Sequence, residues 1–98
     1  MPLSAVLVKG PSMAPTLRAG DALLIWRGAR VRAGDVVVAR FRTRPDLLVV
    51  KRAVRAQDGG WWLHGDNEFA GDDSRTYGVA DVIGRVFLRY WPRPGRLS

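Results

Sequence analysis

Cysteine is absent from the 98 residues of this chain, which excludes disulfides and thiolate metal sites. A chain without disulfides suits a reducing compartment, so we expect a cytoplasmic protein. Long apolar runs are missing as well. No stretch approaches the ~20 apolar residues that a membrane-spanning helix needs, and residues 4–8 are too short for a secretory signal. We expect a soluble chain without a transmembrane anchor, and contact with a membrane surface stays open.

Helical periodicity is also lacking, because no window of helical length repeats its apolar residues every 3.6 positions. Short segments rich in Val, Leu and Ile alternate instead with Gly-Asp turns, as is typical of strands. The pattern predicts one mostly β domain over residues 1–98, folded into a barrel or a sandwich. The predicted strands cover residues 5–8, 22–26, 35–41, 47–55, 61–64 and 79–91.

Turn signals separate these strands. Asp-Gly-Gly at residues 58–60 predicts a hairpin. Arg-Ala-Gly-Asp occurs twice, at residues 18–21 and 32–35, each time just before a strand. We interpret the two copies as the same turn chemistry used twice.

Acidic residues are few, 9 against 16 basic ones, so the formal net charge is +7. Such an excess raises nucleic acid or an anionic membrane as partners. The basic residues are spread from Lys9 to Arg96, whereas a nucleic-acid footprint is concentrated on one face or helix. We expect a dispersed, solvated basic surface and no nucleic-acid partner.

Lysine is rare among the basic residues, because 14 of the 16 are arginine and only Lys9 and Lys51 are lysine. Arginine stays protonated in proteins, whereas a desolvated lysine can become a neutral amine. Strand alternation places Lys51 on one face with Val49 and Ala53, where burial lowers its pKa. The alternative is an edge-strand lysine whose amine reaches water.

Ser12 lies in a segment built for a turn, since Gly10 and Pro11 precede it and Pro15 follows. Such a turn can present a hydroxyl and aim backbone N–H groups at one point, as an acyl-transfer nucleophile requires. Serines between prolines also occur in ordinary loops, so Ser12 becomes a candidate only together with Lys51.

Residues 65–78 are dense in Gly, Asp and Asn, and their carboxylates can bond nearby N–H groups or pair with Arg75. Two interpretations stay open for this segment. It is either a stiff loop that satisfies its own polar groups, or a brace for a lysine and a serine on neighbouring segments.

Together these segments resemble the sequence boxes of the bacterial type I signal peptidase family, serine proteases with a Ser/Lys dyad. The matches follow the family's order and extend over nearly the whole chain. They are Ser-Met-Ala-Pro-Thr-Leu at residues 12–17, Gly-Asp-Val-Val at 34–37, Lys-Arg at 51–52, Gly-Asp-Asn at 65–67, and Asp-Ser-Arg at 73–75 with Gly78.

The resemblance implies a mostly β fold with the β-barrel core of signal peptidases and repressor proteases. It implies that Ser12 is the nucleophile and Lys51 the general base, with no metal or cofactor. Backbone at Gly10 would help to stabilise the oxyanion, and Met13 and Pro15 would contact substrate. The residues that would support this active site are Arg52, Asp66, Asp73, Ser74 and Arg75.

One departure from the family is Gly71, which an ungapped alignment places where many members carry a serine that orients the lysine. Another is that only 11 residues precede Ser12, where the family usually has a membrane anchor. The short form resembles the branch that removes the leader of nickel-type superoxide dismutases. The resemblance therefore implies a leader-bearing precursor protein or peptide as the partner.

Other interpretations remain. His64 and Asp66 are close enough in sequence to join Ser12 in a Ser-His-Asp triad. The chain could instead be a catalytically weak module of the same fold that binds peptides, membranes or nucleic acid. The self-cleaving repressor family also uses a Ser/Lys dyad on a β fold, but its DNA-binding domain and cleavable linker are not in this sequence.

Overall fold

Seven β-strands form one antiparallel sheet in the computed structural model, which describes residues 2–69 and 71–97. Each predicted strand is present with ends shifted by a few residues, so the mostly β fold is confirmed. A one-turn helix before the sixth strand and the short last strand were not predicted. The elements are β1 (Leu3–Leu7), β2 (Ala22–Arg27), β3 (Val36–Phe41), β4 (Arg44–Gln57), β5 (Gly60–His64), α1 (Ser74–Tyr77), β6 (Ala80–Trp91) and β7 (Gly95–Arg96).

The strand order is β1-β2-β6-β3-β4-β5, and β7 pairs with β6. The far strand β5 returns to pair with β6 at Trp61 and Ala80. Strands β6, β3, β4 and β5 therefore form a closed circuit of pairings, and β2 and β1 extend the sheet outward from β6. Within the described ranges no helix is both long and apolar enough to span a bilayer.

Strand β3 lies between β6 and β4 and is buried on both faces, which explains its uninterrupted apolar run. Alternation directs Val36 and Val38 into one core cluster, and Val37 and Ala39 into another. Each buried valine stabilises the fold by about 1.5 kcal/mol or more. The first cluster also holds Val8, Met13, Leu17, Leu23, Ile25 and Val86, and the second holds Phe41, Ala53, Leu63 and Ala80.

The two Arg-Ala-Gly-Asp turns adopt the same geometry. In each, the aspartate carboxylate accepts a hydrogen bond from the backbone N–H of the arginine three residues earlier, at 2.9 Å in residues 18–21 and 2.8 Å in residues 32–35. The third position needs glycine, because Gly20 and Gly34 both have φ of 96°. The predicted reuse of one turn is confirmed.

The predicted hairpin at residues 58–60 connects β4 to β5. Gln57 pairs with Gly60, so Asp58 and Gly59 form a two-residue loop. Their φ angles of 52° and 77° are the pair of left-handed conformations that a type I′ turn requires. The turn sets the register of the pairs next to it, and a register shift between Ala53 and Arg55 then brings His64 opposite Arg52.

Candidate active site

Ser12 lies in the connection between β1 and β2, on a turn whose inner side chains are buried in the core. The N–H of Leu17 donates to the carbonyl of Met13 at 2.9 Å, which closes one helical turn. The side chains of Met13 and Leu17 are almost fully buried in the first core cluster. Gly10, with φ of 83°, lets the chain turn out of β1. Ser12, on the outer side of this anchored turn, lines an open cleft.

Lys51 lies in β4 opposite Val37 and is only 4% exposed. The predicted alternation is present, because Ala53 and Val49 belong to the second core cluster. Burial lowers the pKa of Lys51, while the carboxylates of Asp73 and Asp72 act in the opposite direction and offset part of that effect. The net direction is downward, which increases the fraction of neutral amine at a given pH.

Ser12 and Lys51 meet at Gly71. A Cβ added to this glycine would lie 2.5 Å from Cβ of Ser12 and 3.3 Å from Nζ of Lys51. Gly71 also has φ of 82°, a conformation that side chains rarely adopt. The backbone thus passes so close to both residues that a hydroxyl-bearing side chain has no room here. In this backbone, position 71 therefore requires glycine.

The cleft at these residues has a volume of about 350 Å³. One wall is formed by residues 6–12 and the other by residues 47–51, with Gly71, Asp72 and Tyr77 at one end. Among the described residues β1 pairs only with β2, and this part of β4 pairs only with β3. Each wall therefore has a strand edge with no strand partner.

Asp66 joins the serine turn to the lysine strand. Arg52 donates to both of its carboxylate oxygens, at 3.0 and 2.7 Å, and the Thr16 hydroxyl donates at 2.6 Å. Arg52 also donates to the carbonyl of Gly34 at 2.8 Å. The Arg52 guanidinium lowers the pKa of Asp66 against the opposing effect of burial, and Thr16 adds to the lowering. The Arg52–Asp66 ion pair and its hydrogen bonds thus hold four chain segments together.

The neighbours of Asp66 clamp the serine backbone. The N–H of Asn67 donates to the carbonyl of Ser12 at 2.8 Å, and the Asn67 side-chain amide donates to the carbonyl of Pro11 at 3.0 Å. A Cβ on Gly65 would lie 2.6 Å from the same Ser12 carbonyl, so only glycine fits there. These contacts fix the direction in which Ser12 is presented.

Asp73, Ser74 and Arg75 tie the loop over the cleft to β5. Asp73 caps α1, because it accepts from the Arg75 N–H at 3.0 Å, and it also accepts from the N–H of Gly65 at 3.2 Å. Burial alone raises the pKa of Asp73, but hydrogen bonds from the Arg75 side chain, the Arg75 N–H and the Gly65 N–H outweigh it and lower the pKa to about 2. The Ser74 hydroxyl accepts from the N–H of Leu63 at 2.7 Å.

The structure brings Gly10, Ser12 and Lys51 to one cleft but places two other predicted residues elsewhere. Met13, expected to contact substrate, is 1% exposed in the core, and its sulfur accepts from the Asp66 N–H at 3.4 Å. The Met13 side chain points into the core because it lies on the buried side of the helical turn. Pro15, with the same expected role, lines a separate cavity.

His64 does not line the cleft that holds Ser12. It lies across from Arg52 in the β4–β5 pairing, and the carboxylate of Asp66 is already bound to Arg52 and Thr16.

Two cleft residues carried no functional signal in the sequence, Asp72 and Tyr77. The Tyr77 hydroxyl donates to the Asp72 carboxylate at 3.4 Å, and only the fold brings this pair to the end of the cleft.

A family model described as Peptidase S24-like matches residues 2–87. The chain belongs to the Peptidase S24-like family. It is 32% identical to mitochondrial inner membrane protease subunit 1 of Xenopus tropicalis, over 89% of this chain and 68% of that protein. The same identity, 32%, relates it to mitochondrial ATP-independent inner membrane protease subunit 1a of Arabidopsis thaliana, over 92% of this chain and 71% of that protein.

A further relative of this Peptidase S24-like chain is mitochondrial inner membrane protease subunit 2 of Saccharomyces cerevisiae, 28% identical over 87% of this chain and 66% of that protein. Family and relatives agree on the class of enzyme, a peptidase. The predicted protease class is therefore confirmed, whereas the roles of single residues rest on the geometry of the cleft.

Proposed function

We propose that this chain is a serine endopeptidase that removes N-terminal leader peptides, with Ser12 as nucleophile and Lys51 as general base. The observation that carries the proposal is the convergence of Ser12 and the Lys51 amine on one side-chain-sized volume beside Gly71. Both lie in a cleft large enough for a peptide side chain. The membership in a peptidase family supports the same chemistry.

Burial gives Lys51 the property that a general base needs. At an unperturbed pKa near ~10.4 only about one lysine in 2,500 is neutral at pH 7. Desolvation increases that fraction, because it penalises the cation. Lys51 then accepts the Ser12 proton as Oγ attacks the scissile carbonyl, and returns it to the leaving amine. A water molecule activated by the same amine hydrolyses the acyl-enzyme.

The turn at residues 10–12 lies where the oxyanion forms. Gly10 and Ser12 line the cleft, and their backbone N–H groups are the candidates to stabilise the developing negative charge without a side chain. The clamp from Asn67 on the Ser12 and Pro11 carbonyls holds this backbone in place. Because this backbone is already oriented before the substrate binds, it does not have to reorganise during the reaction, as water molecules would.

The walls of the cleft suit an extended apolar peptide. A substrate strand can hydrogen-bond to the unpaired edges of β1 and of residues 47–51 and so fill the gap between them. The cleft-side residues of both walls are mostly Val and Leu. Leader peptides with an apolar stretch before the cut match this surface. By the resemblance drawn from the sequence, the precursor of a nickel-type superoxide dismutase is a candidate substrate.

The test is cleavage of a panel of leader-bearing peptides, including a nickel-dismutase precursor, by the wild type, Ser12→Ala and Lys51→Met. We expect both variants to lose at least about a thousandfold in kcat/KM while staying folded. Ser4→Ala, outside the cleft, is the matched serine control, and His64→Ala tests the triad; both should cleave like the wild type. Wild-type rates in Ser12→Ala or Lys51→Met contradict the proposal.

A second candidate, a peptide-binding module of the same fold, is favoured by one observation, the missing hydroxyl at position 71. A folded wild type that binds leader peptides in the cleft and cuts none of them would support this candidate instead. Loss of binding in Leu48→Asp, which places a charge on the exposed apolar wall, would assign that binding to the cleft.

A further inference from the structure

A second cavity, of about 370 Å³, lies beside the serine turn and shares no lining residue with the cleft. Three arginines, two prolines and one aspartate line it: Arg18, Arg89, Arg93, Pro15, Pro92 and Asp21. The sequence suggested a dispersed basic surface, but folding brings these three arginines from opposite ends of the chain to one place. The lining therefore carries three positive charges and one negative charge.

Arg89 is held in a fixed orientation at this cavity. Its guanidinium donates to the carbonyls of Arg93 at 2.7 Å and Thr16 at 3.4 Å, and it lies 3.6 Å from the carboxylate of Asp21. Because these contacts already restrict its rotamers, little conformational entropy is left to lose when a ligand binds. Asp21 is nearly buried and also accepts from the Arg18 N–H at 2.9 Å. Its negative charge is therefore largely balanced by groups of the protein itself.

Arg18 and Arg93 have exposed side chains and form no ion pair within residues 2–69 and 71–97. Guanidinium groups recognise phosphate oxygens through paired hydrogen bonds, better than any other side chain. Pro15 and Pro92 restrict the backbone on both sides of the cavity. Two available guanidinium groups beside one that is oriented form a site for a doubly charged oxyanion.

We propose that the cavity of Arg18, Arg89 and Arg93 binds a phosphate group. The same chemistry is presented by inorganic phosphate in solution and by a phospholipid headgroup. Trp91, which precedes Pro92 of the cavity lining, is 63% exposed, and Leu7, two strands away in the same row of pairings, is exposed as well. Exposed tryptophan beside arginine is typical of a surface that meets lipid headgroups.

A bound phosphate also contacts the segment that carries the nucleophile. Pro15 forms part of the cavity wall, and Thr16 donates to Asp66 while its carbonyl accepts from Arg89. The site thus lies against the same turn that presents Ser12, on a side that the substrate does not use. Phosphate binding itself does not depend on the proposed protease activity and is measured without it.

The experiment measures binding to the full chain by two probes. Inorganic phosphate and pyrophosphate are titrated by calorimetry, and vesicles of phosphatidylglycerol in phosphatidylcholine are tested by co-sedimentation against phosphatidylcholine alone. The test variant is Arg18→Gln with Arg93→Gln. The matched control is Arg30→Gln with Arg32→Gln, which removes the same charge from two exposed arginines away from the cavity.

We expect the test variant to weaken binding about tenfold or more, and the control variant less than about threefold, since only the first loses direct charge-assisted hydrogen bonds. Binding of the soluble anions identifies free phosphate as the ligand, and binding of vesicles alone identifies a lipid headgroup. Either result supports the site. Equal weakening in both variants, or no binding by the wild type to either probe, overturns it.

Discussion

At the scale of single residues, Gly71 shows how tightly Ser12 and Lys51, the proposed dyad, are packed against the loop. We expect Gly71→Ser to lower kcat at least tenfold, because the new Cβ would overlap Ser12 and push against the Lys51 amine. The φ of 82° adds a strain of about 1–2 kcal/mol to the folded state. The measurement is single-turnover cleavage combined with urea unfolding.

Gly78→Ser is the matched control for this variant. Gly78 has nearly the same φ, 83°, but a Cβ added there meets nothing within 4 Å. It should show only the loss of stability that comes from the positive φ, with little loss of cleavage rate. A Gly71→Ser enzyme that cleaves faster than the wild type would instead mean that the loop moves to accept the family's serine.

The burial of Lys51 predicts that its replacement removes activity but stabilises the fold. Its pKa is lowered in the folded state, so the fold disfavours the cation at any pH where the unfolded chain keeps its proton. We expect Lys51→Met to raise the free energy of unfolding at pH 7 by something of the order of 1 kcal/mol. The gain should shrink as the pH rises toward the ordinary lysine pKa of 10.5.

The check for this prediction is urea unfolding at several pH values between 6 and 10 for the wild type, Lys51→Met and Lys9→Met. Lys9 is exposed, so its replacement removes the same charge without removing a buried amine. A Lys51→Met chain that is less stable than the wild type at pH 7 would show that the amine is solvated in the folded state.

At the scale of elements, the Asp66 carboxylate accepts from Thr16 in the serine turn and from Arg52 in the lysine strand, and Arg52 also donates to Gly34 in the turn at residues 32–35. Asp66→Asn should cost about 1–3 kcal/mol of stability, since it leaves the partly buried Arg52 guanidinium without its counter-charge. Cleavage should fall as well, because the amide has one acceptor oxygen where the carboxylate has two, so Thr16 and Arg52 compete for it. Asp46→Asn, which breaks only the exposed pair with Arg44, should cost less than ~1 kcal/mol.

Denaturant unfolding and kcat/KM of the two variants test this prediction. Equal stability losses in Asp66→Asn and Asp46→Asn would show that the inner pair is no stronger than an exposed one. If Asp66→Asn loses the expected stability but cleaves at the wild-type rate, the Arg52–Asp66 ion pair stabilises the fold without contributing to catalysis.

The strands could be predicted from the sequence because apolar β-branched runs between Gly-Asp turns are a local signal. The helix α1 could not, because four residues show no period and its start depends on the Asp73 cap. The pairing of β2 with β6 joins residues more than 50 positions apart, which no local pattern reports. Strand β7, of two residues, is too short to leave a pattern.

The chemistry of the site was predictable where residue type alone is informative. Lys51 stood out as a lysine among apolar residues, and Ser12 as a serine in a turn of prolines and glycine. The direction of Met13 was not predictable, because it depends on the helical turn that buries it. The closeness of Gly71 to both dyad residues depends on how the loop crosses the cleft, a property of the assembled fold.

At the scale of the whole molecule, the ionised Asp73 carboxylate stabilises the fold, and this stabilisation is lost in acid. Its pKa is about 2 in the folded chain against an ordinary 3.8, so its contribution is fully present above pH ~4 and is lost as the pH falls toward 2. That contribution is about 1–2 kcal/mol, allowing for the screening of the largely exposed Arg75 side chain by water.

We expect Asp73→Asn to be less stable than the wild type at pH 7 and to approach it at pH 2–3. Thermal unfolding followed by circular dichroism across this range measures the difference. Asp58→Asn, a change of the same charge in the β4–β5 turn, is the control for the loss of one negative charge. A constant gap between wild type and Asp73→Asn at all pH values would show that the difference does not come from the ionised carboxylate.

Strand β6 lies between β2 and β3, although it is the last long strand to leave the ribosome. Ser12 and Lys51 both precede residues 80–91 in the chain, and β2 and β3 have no shared neighbour to pair with until those residues have emerged. A nascent chain therefore carries the proposed nucleophile and base before β6 can join the two parts of the sheet. On the proposed function, we expect cleavage to begin only after β6 has taken its place.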